Sequence, residues 1–154
     1  MAVYAPVLKA PEVRLLMAIA ARQGATIYKY DTSQAFLYGD VEEDLYARAP
    51  DWWPELIPEG HCLQLRKNIY GTRQAARAWH VRLSTWMENN GYLPINNLNE
   101  KTIFMKWYGE DFIIHGVFVD DFATIPTSQK LKEEFEALYS SEFDVTGGGH
   151  WPND

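Results

Sequence analysis

Three aspartates stand where buried strands are expected to end or turn, and their side chains could bind metal ions. Asp31 follows the β-branched and aromatic run TIYKY, and the adjacent pair Asp120 and Asp121 lies between two apolar runs. A tight hairpin turn can hold such a pair outside the core, and a neighbouring strand would bring Asp31 beside Asp120. Carboxylates gathered in this way repel each other unless a divalent cation joins them. Magnesium favours oxygen ligands, and two such ions stabilise the attacking and leaving oxygens of phosphoryl transfer.

The adjacent pair also has a simpler interpretation. Neighbouring aspartates are common in solvated turns, and by themselves they do not specify a metal site. The third carboxylate, Asp31, at the end of a separate predicted strand, favours the metal site over the turn.

The pattern of apolar residues predicts the elements that must position these side chains. Helical spacing predicts helices at residues 11–23, 74–90 and 128–139. Alternating or β-branched runs predict strands at residues 26–30, 44–49, 61–65, 103–108, 112–119, 122–125 and 142–145. This order indicates an α+β fold, with helices packed on one face of a mainly antiparallel sheet. Residues 1–154 are expected to form a single domain in which residues 147–154 are a frayed tail.

Bulk composition limits the class of protein. A chain of 154 residues fits one domain and can bury a core. Its single cysteine, Cys62, excludes an internal disulfide framework and is typical of a reducing, cytoplasmic setting. No apolar stretch approaches the ~20 residues of a membrane helix, and no signal peptide is indicated. We therefore expect no membrane partner.

The charge distribution is uneven along the chain. The net charge of −7 argues against a nucleic-acid partner, since such proteins usually present a basic surface to phosphates. Residues 61–87, however, contain no acidic residue and carry the cations Arg66, Lys67, Arg73, Arg77 and Arg82. This asymmetry suggests one basic and one acidic face, although charge runs taken alone more often mark an ordinary solvated surface.

Five segments, in order, carry a family resemblance. They are YAPV at residues 4–7, YDTSQAFLYGD at 30–40, DLYARAP at 44–50, LRKNIYGTRQAARAW at 65–79 and FVDD at 118–121. Together they resemble the motifs of copia-type LTR-retrotransposon reverse transcriptases. The resemblance implies a reverse-transcriptase-like palm with partial fingers, and synthesis of DNA from dNTPs on an RNA or DNA template–primer. It also implies an intracellular location, either cytoplasmic, in a virus-like particle or nuclear.

The resemblance assigns roles to individual residues. Catalytic carboxylates would be Asp31, Asp120 and Asp121, with the carbonyl of Thr32 as a further metal ligand. The metal would be Mg²⁺, with Mn²⁺ as the alternative. The dNTP would lie against Thr32, Ser33, Gln34, Ala35 and Phe36. The ring of Phe36 would act as a steric gate against ribonucleotides, although an isolated phenylalanine is more often a core residue.

Further positions would contact the template and primer. These are Tyr70, Gly71, Arg73, Gln74, Arg77 and Phe118. Arginine suits such contacts because its guanidinium group donates two parallel bonds to a phosphate. Trp79 and Trp86 are expected in the core rather than stacked on bases, whereas Trp52 and Trp53 are expected at a partly exposed contact surface.

The sequence also departs from the family pattern. Ala76 replaces a proline, Thr72 a leucine, Tyr38 an asparagine and Phe118 a tyrosine. The family's basic fingers segment is missing before YAPV, and the primer grip, thumb and ribonuclease H regions are missing after the last motif. The chain is thus expected to be truncated at both ends, the remainder of a retrotransposon polyprotein being a candidate partner.

Three functions remain open on the sequence alone. The first is an RNA-directed DNA polymerase domain, supported by the intact carboxylates. The second is a degenerate or co-opted fragment that folds and binds nucleic acid without catalysis, supported by the truncation and Ala76. The third is an unrelated metal-dependent phosphohydrolase, which lacks a well-placed histidine as general base.

Overall fold

Three helices and eight strands form within residues 4–96 and 99–151, the part of the chain that the computed structural model describes. The helices are α1 (Ala10–Gln23), α2 (Ala75–Asn89) and α3 (Gln129–Ser140). The strands are β1 (Tyr28–Thr32), β2 (Leu45–Ala47), β3 (Leu63–Leu65), β4 (Leu93–Pro94), β5 (Ile103–Tyr108), β6 (Asp111–Phe118), β7 (Asp121–Pro126) and β8 (Val145–His150). Short 3₁₀ turns lie at Ala35–Tyr38 and Pro54–Leu56. None of the described helices is both long and apolar enough to cross a lipid bilayer.

The main sheet has six strands in the order β4-β5-β6-β7-β1-β8, and every neighbouring pair is antiparallel. β2 and β3 form a separate two-stranded sheet. The expected mixed α+β class with an antiparallel sheet is thus confirmed. β1 is the strand that does not follow chain order, because it inserts between β7 and β8. That insertion brings the segment YDTSQAFLYGD at residues 30–40 beside the segment FVDD at residues 118–121.

Helices cover both faces of the sheet, which corrects the expectation of helices on one face. α2 and α3 bury Trp79 and Phe135 against one face, together with Ile113 of β6. α1 buries Leu16 against the other face, together with Ile114. Successive strand side chains point to opposite faces, so β6 contributes to both cores. The continuous apolar run of β6 is typical of a strand buried on both sides, and the one-face expectation overlooked it.

The segment that follows Val145 is also different from the expectation. Residues 147–150 were assigned to a frayed tail, but they continue β8 and pair with β1. The three consecutive glycines disfavour a strand by propensity, and tertiary pairing overrides that preference. The register shifts between Lys29 and Tyr30, and Gly147 at this bulge has φ of 106°. Residues 152–154 lie outside the described part of the chain.

Two glycines permit close contacts between layers. A Cβ atom on Gly116 would lie 2.5 Å from Leu16 Cδ1, so the glycine lets α1 approach β6. A Cβ atom on Gly39 would lie 2.8 Å from the backbone nitrogen of Trp79. The turn after β1 therefore rests directly on the backbone of α2. This contact fixes the position of residues 35–39 relative to the helix.

We expect Gly39→Ala to lower the free energy of unfolding by about 1–3 kcal/mol, the usual cost of overpacking. The added methyl group would meet Trp79 N at 2.8 Å and the carbonyl carbon of Ala78 at 2.9 Å, and backbone atoms cannot rotate away. Gly149→Ala is the matched control, since no atom lies within 4 Å of its Cβ position. The control should change stability by less than about 0.5 kcal/mol. Urea unfolding followed by tryptophan fluorescence measures both, and equal losses would contradict the packing role of Gly39.

Candidate active site

The pairing of β1 with β7 brings the three aspartates together. Asp31 and Asp121 are register partners on these adjacent strands. Asp120 precedes Asp121 on the turn, and its carbonyl accepts a 3.0 Å hydrogen bond from the amide of Thr32. All three aspartates are partly exposed. The gathering of carboxylates that the sequence predicts is therefore present in the structure, although Asp31 lies within β1 rather than after its end.

The turn between β6 and β7 has an unusual backbone. Phe118 pairs with Asp121, which leaves a two-residue loop of Val119 and Asp120. Val119 has φ of 59°, a left-handed conformation that β-branched residues rarely adopt. Two donors hold the loop: the indole Nε1 of Trp79 bonds the Val119 carbonyl at 2.8 Å, and Thr32 N bonds the Asp120 carbonyl. Both peptide groups of the turn are thus attached to neighbouring elements.

Mutual repulsion shapes the electrostatics of the site. The pKa of Asp31 is raised above its usual value, first by partial burial and then by the charges of Asp120 and Asp121. The ammonium group of Lys29 acts in the opposite direction and lowers the Asp31 pKa. The hydroxyl of Tyr70 donates a 3.0 Å bond to Asp120 Oδ2. Burial, and then this bond, raise the pKa of Tyr70, so its hydroxyl stays protonated.

Two side chains already occupy carboxylate oxygens at the site. Lys29 Nζ lies 3.0 Å from Asp121 Oδ1, and Tyr70 takes one oxygen of Asp120. Within residues 4–96 and 99–151, no three His, Cys, Asp or Glu side chains converge closely enough to hold a metal ion. The carboxylate oxygens are nevertheless the ligand type that Mg²⁺ prefers. A cation shared by the aspartates would compete with the Lys29 ammonium and the Tyr70 hydroxyl.

The residues assigned to the dNTP lie on the turn that leaves β1. Thr32 is 1% exposed, and its Oγ1 is 2.8 Å from the hydroxyl of Tyr139. The amide of Ser33 donates to the carbonyl of Asp144 at 2.9 Å. Gln34 is exposed and has φ of 53°. The side chains of Thr32 and Ala35 are buried, whereas the polar side chains of Ser33 and Gln34 are at least partly exposed on this turn.

Phe36 connects this turn to the aspartates through Tyr70. It is 9% exposed, and its ring centroid is 4.4 Å from that of Tyr70. Tyr70 in turn bonds Asp120 and is itself 63% exposed. The three side chains are therefore in consecutive contact, from Phe36 in the buried core through Tyr70 to Asp120.

The residues assigned to template and primer differ in accessibility. Tyr70, Gly71, Arg73 and Phe118 are exposed. Gln74 is 4% exposed, and its buried Nε2 has no hydrogen-bond partner among residues 4–96 and 99–151. Arg77 donates from Nη1 to both carboxylate oxygens of Glu42, at 2.9 and 2.8 Å. Four of these six residues are thus exposed on the surface. Gln74 is buried, and the guanidinium group of Arg77 is paired with Glu42.

The cations of residues 61–87 do not form a continuous basic face. Three of them are paired with acidic residues, in the contacts Arg77–Glu42, Arg82–Glu142 and Lys67–Asp40. Arg66 and Arg73 have no salt bridge within the described part of the chain. Folding therefore reduces the segregation of charge seen along the sequence, because Asp40, Glu42 and Glu142 contact three of the five cations.

The tryptophans lie where the sequence places them. Trp79 is fully buried and Trp86 is 6% exposed, and both lie in the core between the sheet and helices α2 and α3. Trp52 is 81% exposed and Trp53 is 48% exposed, with their rings stacked at 6.1 Å. The expectation of core packing for the helical pair is confirmed.

Two contacts of the site were missed by sequence reasoning. Lys29 could have been found, because it stands two positions before Asp31 and a strand places such residues on the same face. The bond from Trp79 to the Val119 carbonyl had no comparable signal. Its donor and acceptor lie forty positions apart, and the burial of an indole does not reveal where its N–H points.

Comparison with known proteins decides the family. The family model described as reverse transcriptase (RNA-dependent DNA polymerase) matches residues 1–150. The chain belongs to this family. It is 31% identical over 143 residues to the retrovirus-related Pol polyprotein from transposon RE2 of Arabidopsis thaliana, covering 92% of this chain and 10% of that polyprotein. It is 28% identical over 145 residues to the polyprotein from transposon TNT 1-94 of Nicotiana tabacum, covering 93% and 11%. These matches confirm the copia-type resemblance.

This reverse transcriptase domain spans only about a tenth of the Pol polyproteins it matches. A third relative, the polyprotein from transposon RE1 of Arabidopsis thaliana, is 29% identical over 118 residues, or 77% of this chain and 8% of that one. No solved structure matches the chain. The family is thus shown by sequence similarity, while the geometry of the site comes from the structure described above.

The pKa of Asp31 should respond in opposite directions to two kinds of substitution. Lys29→Met removes a cation that lowers this pKa, so the pKa should rise further. Asp121→Asn removes both a repelling charge and the partner of Lys29, and should lower it. Carboxyl-carbon NMR chemical shifts followed against pH measure each change. Lys130→Met is the control: its ammonium contacts Glu134 on α3, and it should leave the Asp31 titration unchanged. If the pKa of Asp31 were the same in both site variants as in the unchanged chain, the charges of Lys29 and Asp121 would not act on Asp31.

The raised pKa of Asp31 also determines how its contribution to stability changes with pH. A carboxyl with a folded-state pKa above its unfolded value favours folding at pH below the unfolded pKa, and loses that contribution as pH rises through the folded pKa. At neutral pH the ionised Asp31 therefore opposes folding.

Proposed function

We propose that this site catalyses transfer of deoxynucleotides from dNTPs to a primer 3′-hydroxyl, directed by an RNA or DNA template. The observation that carries the proposal is the pairing of β1 with β7, which aligns Asp31 with Asp121 and sets Asp120 at the turn beside them. This arrangement occurs in a chain of the reverse transcriptase family. On this proposal, the six-stranded sheet with its helices is the palm, and β2 with β3 belongs to partial fingers.

The carboxylates would hold the divalent cations. Asp31 and Asp120 would be ligands together with the backbone carbonyl of Thr32, with Asp121 beside them. Mg²⁺, or Mn²⁺ as the alternative, would supply charge stabilisation to the attacking and leaving oxygens. Lys29 would offset the charge of Asp121 while no cation is bound, since its ammonium already lies 3.0 Å away.

The turn after β1 would receive the dNTP. The partly exposed Ser33 and the exposed Gln34 would present polar side chains there, while Thr32 and Ala35 are buried beneath them. Phe36 is held against Tyr70, so its ring cannot easily retreat from a ribose 2′-hydroxyl. Positioning of this kind supplies much of the rate enhancement in phosphoryl transfer.

The exposed residues near the turn would contact the template and primer. Tyr70, Gly71, Arg73 and Phe118 form this accessible group. Arg77 would reach a phosphate only by leaving Glu42, and the buried Gln74 would support the surface from below. On this view the remainder of a Pol polyprotein supplies further contacts.

A second candidate is a fragment that folds and binds nucleic acid without catalysis. It is favoured by the contacts that already occupy carboxylate oxygens of Asp120 and Asp121, where a catalytic cation would have to bind. A catalytic domain needs the aspartates to extend a primer, whereas a fragment that only binds nucleic acid forms no extended product.

Primer extension on an RNA template with dNTPs and Mg²⁺ distinguishes the two candidates. Asp120→Asn should reduce extension more than about 100-fold, because loss of a metal ligand removes several kcal/mol of charge stabilisation. Asp51→Asn makes the same charge change at an exposed loop carboxylate and should extend as the unchanged chain does. If neither the unchanged chain nor its variants extend the primer while all retain primer–template, the non-catalytic candidate is supported.

Phe36→Val should raise ribonucleotide incorporation relative to deoxynucleotide incorporation by about ten-fold or more, the value of roughly 1.4 kcal/mol of lost steric discrimination. The smaller side chain opens the space that the ring occupies beside Tyr70. Leu37→Val, at the exposed neighbour on the same turn, is the control and should leave the ratio unchanged. The measurement is the ratio of kcat/KM for matched ribo- and deoxynucleotides. An unchanged ratio in an active Phe36→Val enzyme would remove the gate assignment.

A further inference from the structure

The turn that carries Asp120 is strained and must be held from outside. Val119 adopts φ of 59° in a two-residue loop, where glycine, asparagine or aspartate is usual. A β-branched residue favours extended backbone instead. Relaxation of Val119 toward that conformation would rotate the peptide group that joins it to Asp120. The direction of the Asp120 carboxylate therefore depends on whatever restrains the Val119 carbonyl.

Trp79 is the side chain that supplies this restraint. Its Nε1 donates to the Val119 carbonyl at 2.8 Å. The indole is fully buried, with ring centroids of Tyr38 and Phe143 at 6.0 and 5.3 Å. A donor fixed in this way cannot follow a moving acceptor. Because a buried indole N–H without a partner is costly, the bond favours one position of the turn strongly.

Trp79 also touches the other half of the site. Its backbone nitrogen lies where a Cβ on Gly39 would be only 2.8 Å away, so the turn that carries Phe36 rests on the same residue. One residue of α2 thus contacts both the turn after β1 and the turn before β7. Trp79 therefore links the turn that carries Phe36 to the turn that carries Asp120.

We propose that Trp79 is a positioning residue, whose indole N–H holds Val119 in its left-handed conformation and thereby aims Asp120. The proposal rests on the proposed function for its effect on catalysis. Its structural part, the restraint of the turn, does not depend on that function. Trp79 touches neither substrate nor metal and acts only through the backbone of Val119.

The test compares Trp79→Phe with Trp86→Phe. Both substitutions remove an indole from buried positions of α2, and both rings contact Phe143. Hydrogen exchange at the amide of Thr32 reports on the turn, because this amide bonds the Asp120 carbonyl. Exchange should become about ten-fold faster in Trp79→Phe, because the loss of one hydrogen bond that holds the turn makes its opening more frequent by about that factor. It should be unchanged in Trp86→Phe, and equal effects in both variants would overturn the proposal.

Primer extension provides the second readout. In Trp79→Phe, the Mg²⁺ concentration for half-maximal rate should rise about ten-fold, since a misdirected carboxylate binds a cation less well. The KM for dNTP should change far less, and Trp86→Phe should change neither. An unchanged Mg²⁺ dependence in an active Trp79→Phe enzyme would contradict the role in aiming Asp120.

Val119→Gly provides a rescue that loss of core volume would not allow. Glycine adopts positive φ without steric cost, so it needs no external restraint. Adding Val119→Gly to Trp79→Phe should return Thr32 exchange and the Mg²⁺ requirement to within about two-fold of the original values. A double variant no better than Trp79→Phe alone would show that the strained φ is not what Trp79 holds.

The proposal stays testable if Trp79→Phe does not fold or if the unchanged chain extends no primer. If Trp79→Phe does not fold, as judged by circular dichroism, site-specific replacement of Trp79 by benzothienylalanine removes only the N–H and keeps the ring volume. Faster Thr32 exchange in that protein supports the proposal, and unchanged exchange overturns it. If the unchanged chain extends no primer, the proposed function fails, while Thr32 exchange still decides whether Trp79 restrains the turn.

Discussion

The adjacency of three carboxylates is the constraint on which the rest of the structure depends. Register pairing places Asp31 opposite Asp121, and Asp120 follows on the turn. Their like charges repel one another, and this repulsion contributes to the raised pKa of Asp31. The strands that carry them must therefore be held by interactions elsewhere. Burial on both faces of the sheet provides this, with one core under α2 and α3 and another under α1.

Local polar contacts reduce the same repulsion at the site itself. Lys29 contacts Asp121, and the hydroxyl of Tyr70 contacts Asp120. Similar pairing extends outward to Arg77 and Glu42, so the folded surface is less polarised than the linear sequence. Ion pairs at exposed positions contribute little to stability. The main effect of these contacts is therefore on how much unpaired charge the surface presents. A polyanion approaching the site would meet few unpaired cations.

Much of the fold could be predicted from the sequence, for identifiable reasons. The helices and the long strands have clear apolar periodicity and clear ends, and their predicted bounds agree closely with those observed. The strand predicted at residues 142–145 overlaps β8 only at Val145, because the glycines that follow carry no strand signal and pair only through β1. The one-face packing was wrong because β6 is apolar on both sides. At the site, motif spacing located the aspartates, but hydrogen bonds between distant residues, such as that from Trp79 to Val119, have no sequence signature.

The insertion of β1 between β7 and β8 has a consequence for how the chain folds. Tyr28 pairs with Thr124 on one side and His150 on the other, so both neighbours of β1 lie late in the sequence. The β5–β6–β7 meander and the helices are local and can form early, whereas β1 must wait through a costly loop closure. During synthesis, Asp31 remains on an unpaired strand until most of the domain has left the ribosome. A chain interrupted before β7 would leave β1 without either of its partner strands, and an unpaired strand of this kind is prone to aggregation.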